Sequence, residues 1–166
     1  LRVEPSGGRR PMRLRLADGS WIDCCDYADI GEGTSGWLFS VAGGGHVIKL
    51  YKKPDVRLYR AVQWIVSRLG GIAAGPPWND AYRWPDRVVV EPHLGIRIPR
   101  VPPGLRSLSW IVGRKAYGRL GPREKSWQVR LAIALRLARA VGRLHRAGMA
   151  HSDLSSNNVF ADPATG

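Results

Sequence analysis

His151, Asp153 and Asn158 fall within one eight-residue run, His151-Ser-Asp-Leu-Ser-Ser-Asn-Asn158. These residue types at this spacing suit group transfer to a hydroxyl. An aspartate can accept or orient the proton of an attacking hydroxyl, and a side-chain amide oxygen can hold a metal ion on nearby phosphates. The five residues from Asp153 to Asn158 are enough loop to bring both side chains to one cleft. The plain alternative is a polar loop that ends a helix.

Two further places carry chemistry. Gly31-Glu-Gly33-Thr-Ser-Gly36 is a Gly-x-Gly-x-x-Gly pattern. Glycines let a backbone come close to phosphate oxygens. The dinucleotide-binding version needs a helix directly after the glycines. Here Trp37-Leu-Phe-Ser-Val41 follows, a strand-forming run, so the pattern reads as strand, glycine loop, strand. A glycine-rich turn without a ligand stays open for this pattern alone. Thirteen residues after Gly36 comes Lys49, preceded by Val47-Ile48. A lysine among aliphatics on a strand must send its ammonium to an anion or to solvent.

The elements that position these residues follow from periodicity. Met12-Arg-Leu-Arg-Leu16 alternates, Asp18-Gly19 signals a turn, and Trp21-Ile22 resumes an apolar run, which predicts a hairpin. Tyr27 to Ile30, Trp37 to Ala42 and His46 to Tyr51 read as strands, with Gly43-Gly44-Gly45 as a tight connection. Asp55 is placed to cap a helix in which Leu58, Val62, Ile65, Val66 and Leu69 recur at helical spacing until Gly70-Gly71. Arg87 to Glu91 and Leu94 to Ile98 read as strands, and Pro99 to Pro103 as an extended connector. From Trp127 to Ala147 a long helix is predicted, with Leu131, Ala134, Leu135, Ala138 and Val141 as its apolar stripe and Gly148 after its end. Arg136, Arg139, Arg143 and Arg146 fall on another face.

Composition bounds the function. The chain of 166 residues is 44% hydrophobic, enough for a core. No apolar run reaches the length of a membrane span, and no signal peptide is legible. Cys24 and Cys25 are the two cysteines, adjacent, which excludes an easy bridge between them and a spaced-pair zinc site. Reduced cysteines predict a cytoplasmic protein. The net charge of +13 favours acidic partners. The charge is spread along the chain without a finger or basic-zipper pattern, so nucleic acid is left open but not specifically indicated. Both ends read as cuts rather than natural termini.

From about Asp26 to Gly166 the order of these elements resembles the protein-kinase fold, and the catalytic-loop run with Val159-Phe-Ala-Asp-Pro163 is similar to bacterial kinases found beside helix-hairpin-helix or tellurite-resistance modules. The resemblance implies an α+β fold: a kinase N-lobe of antiparallel strands with one helix, then the start of a helical C-lobe cut just after the catalytic loop. Residues 1–25 would be an N-terminal extension and hairpin, 26–101 the first lobe and 102–166 the partial second. The resemblance implies an ATP-dependent kinase of protein Ser or Thr that uses Mg²⁺. Ile30, Gly31, Gly33 and Gly36 would cover the nucleotide, Lys49 would pair with its phosphates, and Pro99 and Val101 would border the adenine. Asp153 would be the catalytic base, supported by His151, and Asn158 a metal ligand. The chain departs from the family pattern at four points. Ser152 replaces an arginine and Ser155 a lysine. The helix after Asp55 has no glutamate to pair with Lys49, only Gln63. Asp162 sits in a turn and is not assigned as the second metal ligand. A piece of this extent is expected to be nearly inactive and to expose the apolar face from Leu131 to Leu144. A small-molecule kinase and an inactive ATP-binding scaffold of the same fold remain alternatives.

Overall fold

Alternation of apolar and charged residues sets the first strand. In β1 (Met12–Leu16) Leu14 and Leu16 are buried while Arg13 and Arg15 are exposed. Asp18 closes the turn by accepting from the Ser20 N–H at 3.0 Å and from its hydroxyl. Chiefly these hydrogen bonds, with Arg87 and Arg97 nearby, hold the Asp18 carboxyl below the usual carboxylate range. The chain returns as β2 (Trp21–Cys25), and β3 (Gly36–Val41), β4 (His46–Tyr51), β5 (Arg87–Glu91) and β6 (Gly95–Pro99) follow. The computed structural model describes residues 12–25, 35–69, 81–113, 118, 120–122 and 125–166. The short strand expected over Tyr27 to Ile30 lies outside them. The chain divides into two units, Leu1–Arg100 and Val101–Gly166.

The expected kinase-type α+β arrangement, an antiparallel lobe followed by a helical one, is corrected here. The six strands form a closed antiparallel barrel in the order β1-β2-β3-β4-β6-β5. Closure comes from β1 pairing with β5, Arg15 opposite Glu91 and Leu16 opposite Val89, with a register shift between them. Arg15 Nη1 donates to Glu91 Oε1 at 3.0 Å across that seam. The hairpin of β1 and β2 thus supplies two staves of the barrel. In the second unit, the described residues hold a two-stranded sheet, a single turn-and-a-half of helix and one long helix, not a helical lobe.

Each face of β4 serves a different core. Ile48 and Leu50 join Leu14, Leu16, Cys24 and Val89 inside the barrel. Tyr51, on the opposite face, packs with Val62, Val88, Leu94 and Ile96 beneath α1 (Val56–Leu69). That helix begins where Asp55 Oδ1 accepts from the Leu58 N–H at 2.7 Å, the expected N-cap. Burying each such aliphatic side chain contributes about 1.5–3 kcal/mol, so two aliphatic clusters hold this unit together.

Ser40 is the exception. It is 7% exposed in β3, and among the described residues its hydroxyl has no hydrogen-bond partner. An unsatisfied buried hydroxyl costs roughly 1–3 kcal/mol. Ser40→Ala is therefore expected to stabilise the protein by about 1 kcal/mol in denaturant unfolding. A loss of stability of that size would show that the hydroxyl is satisfied.

The second unit starts with β7 (Arg106–Ser107), which pairs with β8 (Phe160–Ala161), and α2 (Leu108–Val112). The long helix α3 (Trp127–Arg146) is capped by Ser126, whose hydroxyl accepts from the Val129 N–H at 3.3 Å. Its buried stripe is Val129, Ile133 and Leu144, and the first two pack on Ile111 and Ala161. The stripe read from sequence is on the other side: Leu131 is 44% and Leu135 is 49% exposed. Both stripes have helical spacing; α2 and β8 select the one they can cover. Exposure of Leu131 and Leu135 agrees with the exposed face expected there, while Leu144 is buried.

Candidate functional site

The residues singled out for chemistry lie in both units, and each unit holds its own group. In the barrel unit, Gly36 opens β3 and lies opposite Tyr51 of β4. A side chain at Gly36 would run into the Leu50 carbonyl oxygen and touch Lys49 Cγ at 3.4 Å. The glycine is therefore required by the close approach of the Leu50 carbonyl, while the Lys49 stem would meet an added Cβ only at ordinary contact distance. Ile30, Gly31 and Gly33 lie outside the described residues.

Lys49 stands between Leu38 of β3 and Ile96 of β6 in the ladder. Alternation places it on the face shared with Val47 and Tyr51, away from the barrel interior. Its ammonium lies 5.5 Å from the centre of the Tyr51 ring. Among the described residues it makes no ion pair with a carboxylate. The helix α1 offers none, since its sequence has no Asp or Glu. Gln63 is turned elsewhere, donating to Tyr59 Oη at 2.6 Å. Burial pushes the Tyr51 phenol above its ordinary value, so the ring is neutral at physiological pH.

Pro99 ends β6 opposite His46, and the next residue, Arg100, donates its N–H to the Gly45 carbonyl at 3.0 Å. This pins the strand end where the adenine border was expected. Val101, the other residue expected there, begins the second unit. Below Pro99, Arg97 grips Asp86 with two hydrogen bonds of 2.9 and 2.8 Å, and His46 Nε2 lies 3.4 Å from the same carboxylate. This cluster joins the start of β4 to β6 and to the residue before β5.

In the second unit the loop after α3 is set by the way that helix stops. Gly148 takes a φ of +73°, a conformation that favours glycine. Its N–H reaches the His145 carbonyl at 2.9 Å, and the Met149 N–H reaches Leu144 at 3.0 Å, a Schellman ending. The chain then turns sharply into His151. His151 Nδ1 accepts from the Asp153 N–H at 3.3 Å. Asn158 Nδ2 donates to the Asp153 carbonyl at 2.9 Å and to its carboxylate Oδ2 at 2.8 Å. The loop thus brings Asp153 and Asn158 into contact, and all three side chains are exposed. The far end of the loop is fastened to α2: Ser109 donates its N–H to Ser156 at 2.9 Å, and Leu108 to Val159 at 2.9 Å.

Among the described residues this geometry leaves Asp153 Oδ1 open, and it turns the Asn158 amide oxygen away from Asp153. The free carboxylate oxygen and the amide oxygen are both hard donors of the kind Mg²⁺ takes. Asp162 is differently engaged. Its two oxygens accept from the Ala164 N–H and the Thr165 hydroxyl, both at 2.8 Å, within its own turn. Sequence reasoning missed Tyr51, although its position two residues from Lys49 on one strand put both on the same face.

No family model matches the chain, and no curated protein matches it. Among solved structures, that of vaccinia related kinase 3 is similar, with 21% identity and a TM-score of 0.60. The match covers 98% of this chain and 49% of the kinase, so the chain spans about half of that protein's length. Likeness at this identity is one of fold, and it does not reach the bacterial branch: the chain is similar in fold to a protein kinase.

Proposed function

We propose that the chain carries the nucleotide-binding and catalytic-loop part of an ATP-dependent phosphotransferase acting on a Ser or Thr hydroxyl of a protein. The observation that carries this reading is the contact of Asp153 with Asn158 in a loop held at both ends. In this reading the acceptor hydroxyl oxygen attacks the γ-phosphorus, and the bond from that phosphorus to the bridging oxygen of ADP breaks. The hydroxyl proton passes to the open Oδ1 of Asp153. Asn158, its Nδ2 spent on Asp153, would hold Mg²⁺ through its Oδ1. When bound, Mg²⁺ neutralises phosphate charge as it builds. By the kinase resemblance, Gly36 and Lys49 would be phosphate-holding residues, and Pro99 and Val101 base-bordering ones.

A second reading, an ATP-binding scaffold without transfer, is favoured by the lack of any carboxylate in α1. A first test addresses binding, which both readings share. Lys49→Met in the full-length protein should weaken Mg-ATP binding about 10- to 100-fold by calorimetry, the worth of one charge-assisted hydrogen bond to phosphate. Unchanged affinity would remove the lysine from the site. Failure of the wild type to bind Mg-ATP would remove both readings.

A further inference from the structure

Lys49 has an aromatic ring beside it, and the helix that packs over the cluster holding that ring carries no carboxylate. We propose that Tyr51 is the positioning residue for Lys49, its ring face holding the ammonium by cation–π attraction where a helix carboxylate is missing. The inference rests on reading Lys49 as the phosphate-binding group.

Four observations join here. The ammonium lies 5.5 Å from the ring centre, within the reach of a cation–π contact. The ring is fixed, because Tyr51 packs into the cluster of Val62, Val88, Leu94 and Ile96 beneath α1. The Tyr51 N–H is tied to the Leu94 carbonyl at 2.9 Å, so the backbone under the ring is fixed as well. Opposite Tyr51 stands Gly36, so no side chain of that residue stands across the ladder from the ring. The arrangement has a functional consequence. A carboxylate would compete with phosphate for the ammonium, whereas a neutral ring directs it and leaves its full charge for an incoming anion. The phenol is neutral at physiological pH, so the attraction comes from the ring face and not from a phenolate.

The test uses the full-length protein with isotopically labelled lysine side chains. In the wild type, the Lys49 Cε methylene resonance, assigned by its loss in Lys49→Met, should be shifted upfield by the ring current of Tyr51. Tyr51→Phe should keep that shift and bind Mg-ATP as the wild type does. Tyr51→Leu should lose the shift and bind about two- to tenfold more weakly. Pentafluorophenylalanine at position 51 keeps the ring shape and reverses its charge distribution, so it should weaken binding as Leu does. It also serves as the decisive variant if Tyr51→Leu does not fold. A wild-type resonance without ring shift would overturn the inference, as would equal affinity for the phenylalanine and pentafluorophenylalanine proteins. A wild type that shows the ring shift but binds no Mg-ATP would sink the phosphate reading instead, and with it the purpose given to the contact.

Discussion

Asp153→Asn is expected to abolish label transfer from ATP while leaving the loop standing. The substitution is isosteric, and an asparagine at this position still offers one side-chain oxygen to Asn158 Nδ2, which now donates to Oδ2 at 2.8 Å. The backbone half of the grip, from Asn158 Nδ2 to the Asp153 carbonyl at 2.9 Å, is untouched. The residue is exposed, so the swap also changes no buried packing. Stability should therefore stay within about 0.5 kcal/mol of wild type. In the proposed reading, what disappears is the oxygen that takes the hydroxyl proton, and losing a positioned general base costs roughly 10²- to 10⁴-fold in rate. Radiolabel transfer by the full-length protein measures this. Equal labelling by wild type and variant would remove Asp153 from the chemistry. A loss of transfer with Mg-ATP affinity unchanged is the pattern of a group acting on the acceptor. Absence of transfer by the wild type itself, with Mg-ATP bound, would favour the scaffold reading.

The loop was readable because its contacts are local. His151, Asp153 and Asn158 bond across two and five residues, so the spacing in the sequence already contained the geometry. The same holds for elements with one strong period. The strand over His46–Tyr51 and the one over Arg87–Glu91 have the expected bounds, and α1 starts at its expected cap. Gly148 ends α3 as the sequence indicated. Barrel closure was not readable, since it rests on Arg15 meeting Glu91 across 76 positions, and a strand signal says nothing of its partner. The pair β7 and β8 escaped for a related reason: two residues each are too few to show a period. On α3 two apolar stripes competed, and only the presence of Ile111 and Ala161 decides which is buried. Tyr51 shares a strand face with Lys49 by alternation, but the sequence pattern does not distinguish a ring that meets the ammonium from one that only packs under α1.

Gly36→Ala should destabilise the fold by about 2–3 kcal/mol, the cost of overpacking a site that cannot yield. The added methyl would be driven into the Leu50 carbonyl oxygen, with the carbonyl carbon at 3.2 Å behind it. Backbone is the obstacle, so no rotamer change relieves it. Nor can β4 retreat, because Gly95 of β6 grips it from the other side, where a Cβ would stand 2.6 Å from the Lys49 carbonyl oxygen. Leu50 itself is 2% exposed and fixed in the barrel core. Any shift of the strand would also displace the Lys49 stem, which passes 3.4 Å from the position of the new methyl. Mg-ATP affinity should therefore fall along with stability. Denaturant unfolding of Gly36→Ala beside Gly45→Ala separates this from a general intolerance of the hairpin. Among the described residues, a methyl at Gly45 would meet nothing within 4 Å, and the φ there is not positive. There alanine should be neutral or stabilise by up to about 1 kcal/mol through the unfolded chain. Equal effects of the two substitutions would mean that β3 and β4 do not approach as closely at Gly36 as the ladder places them.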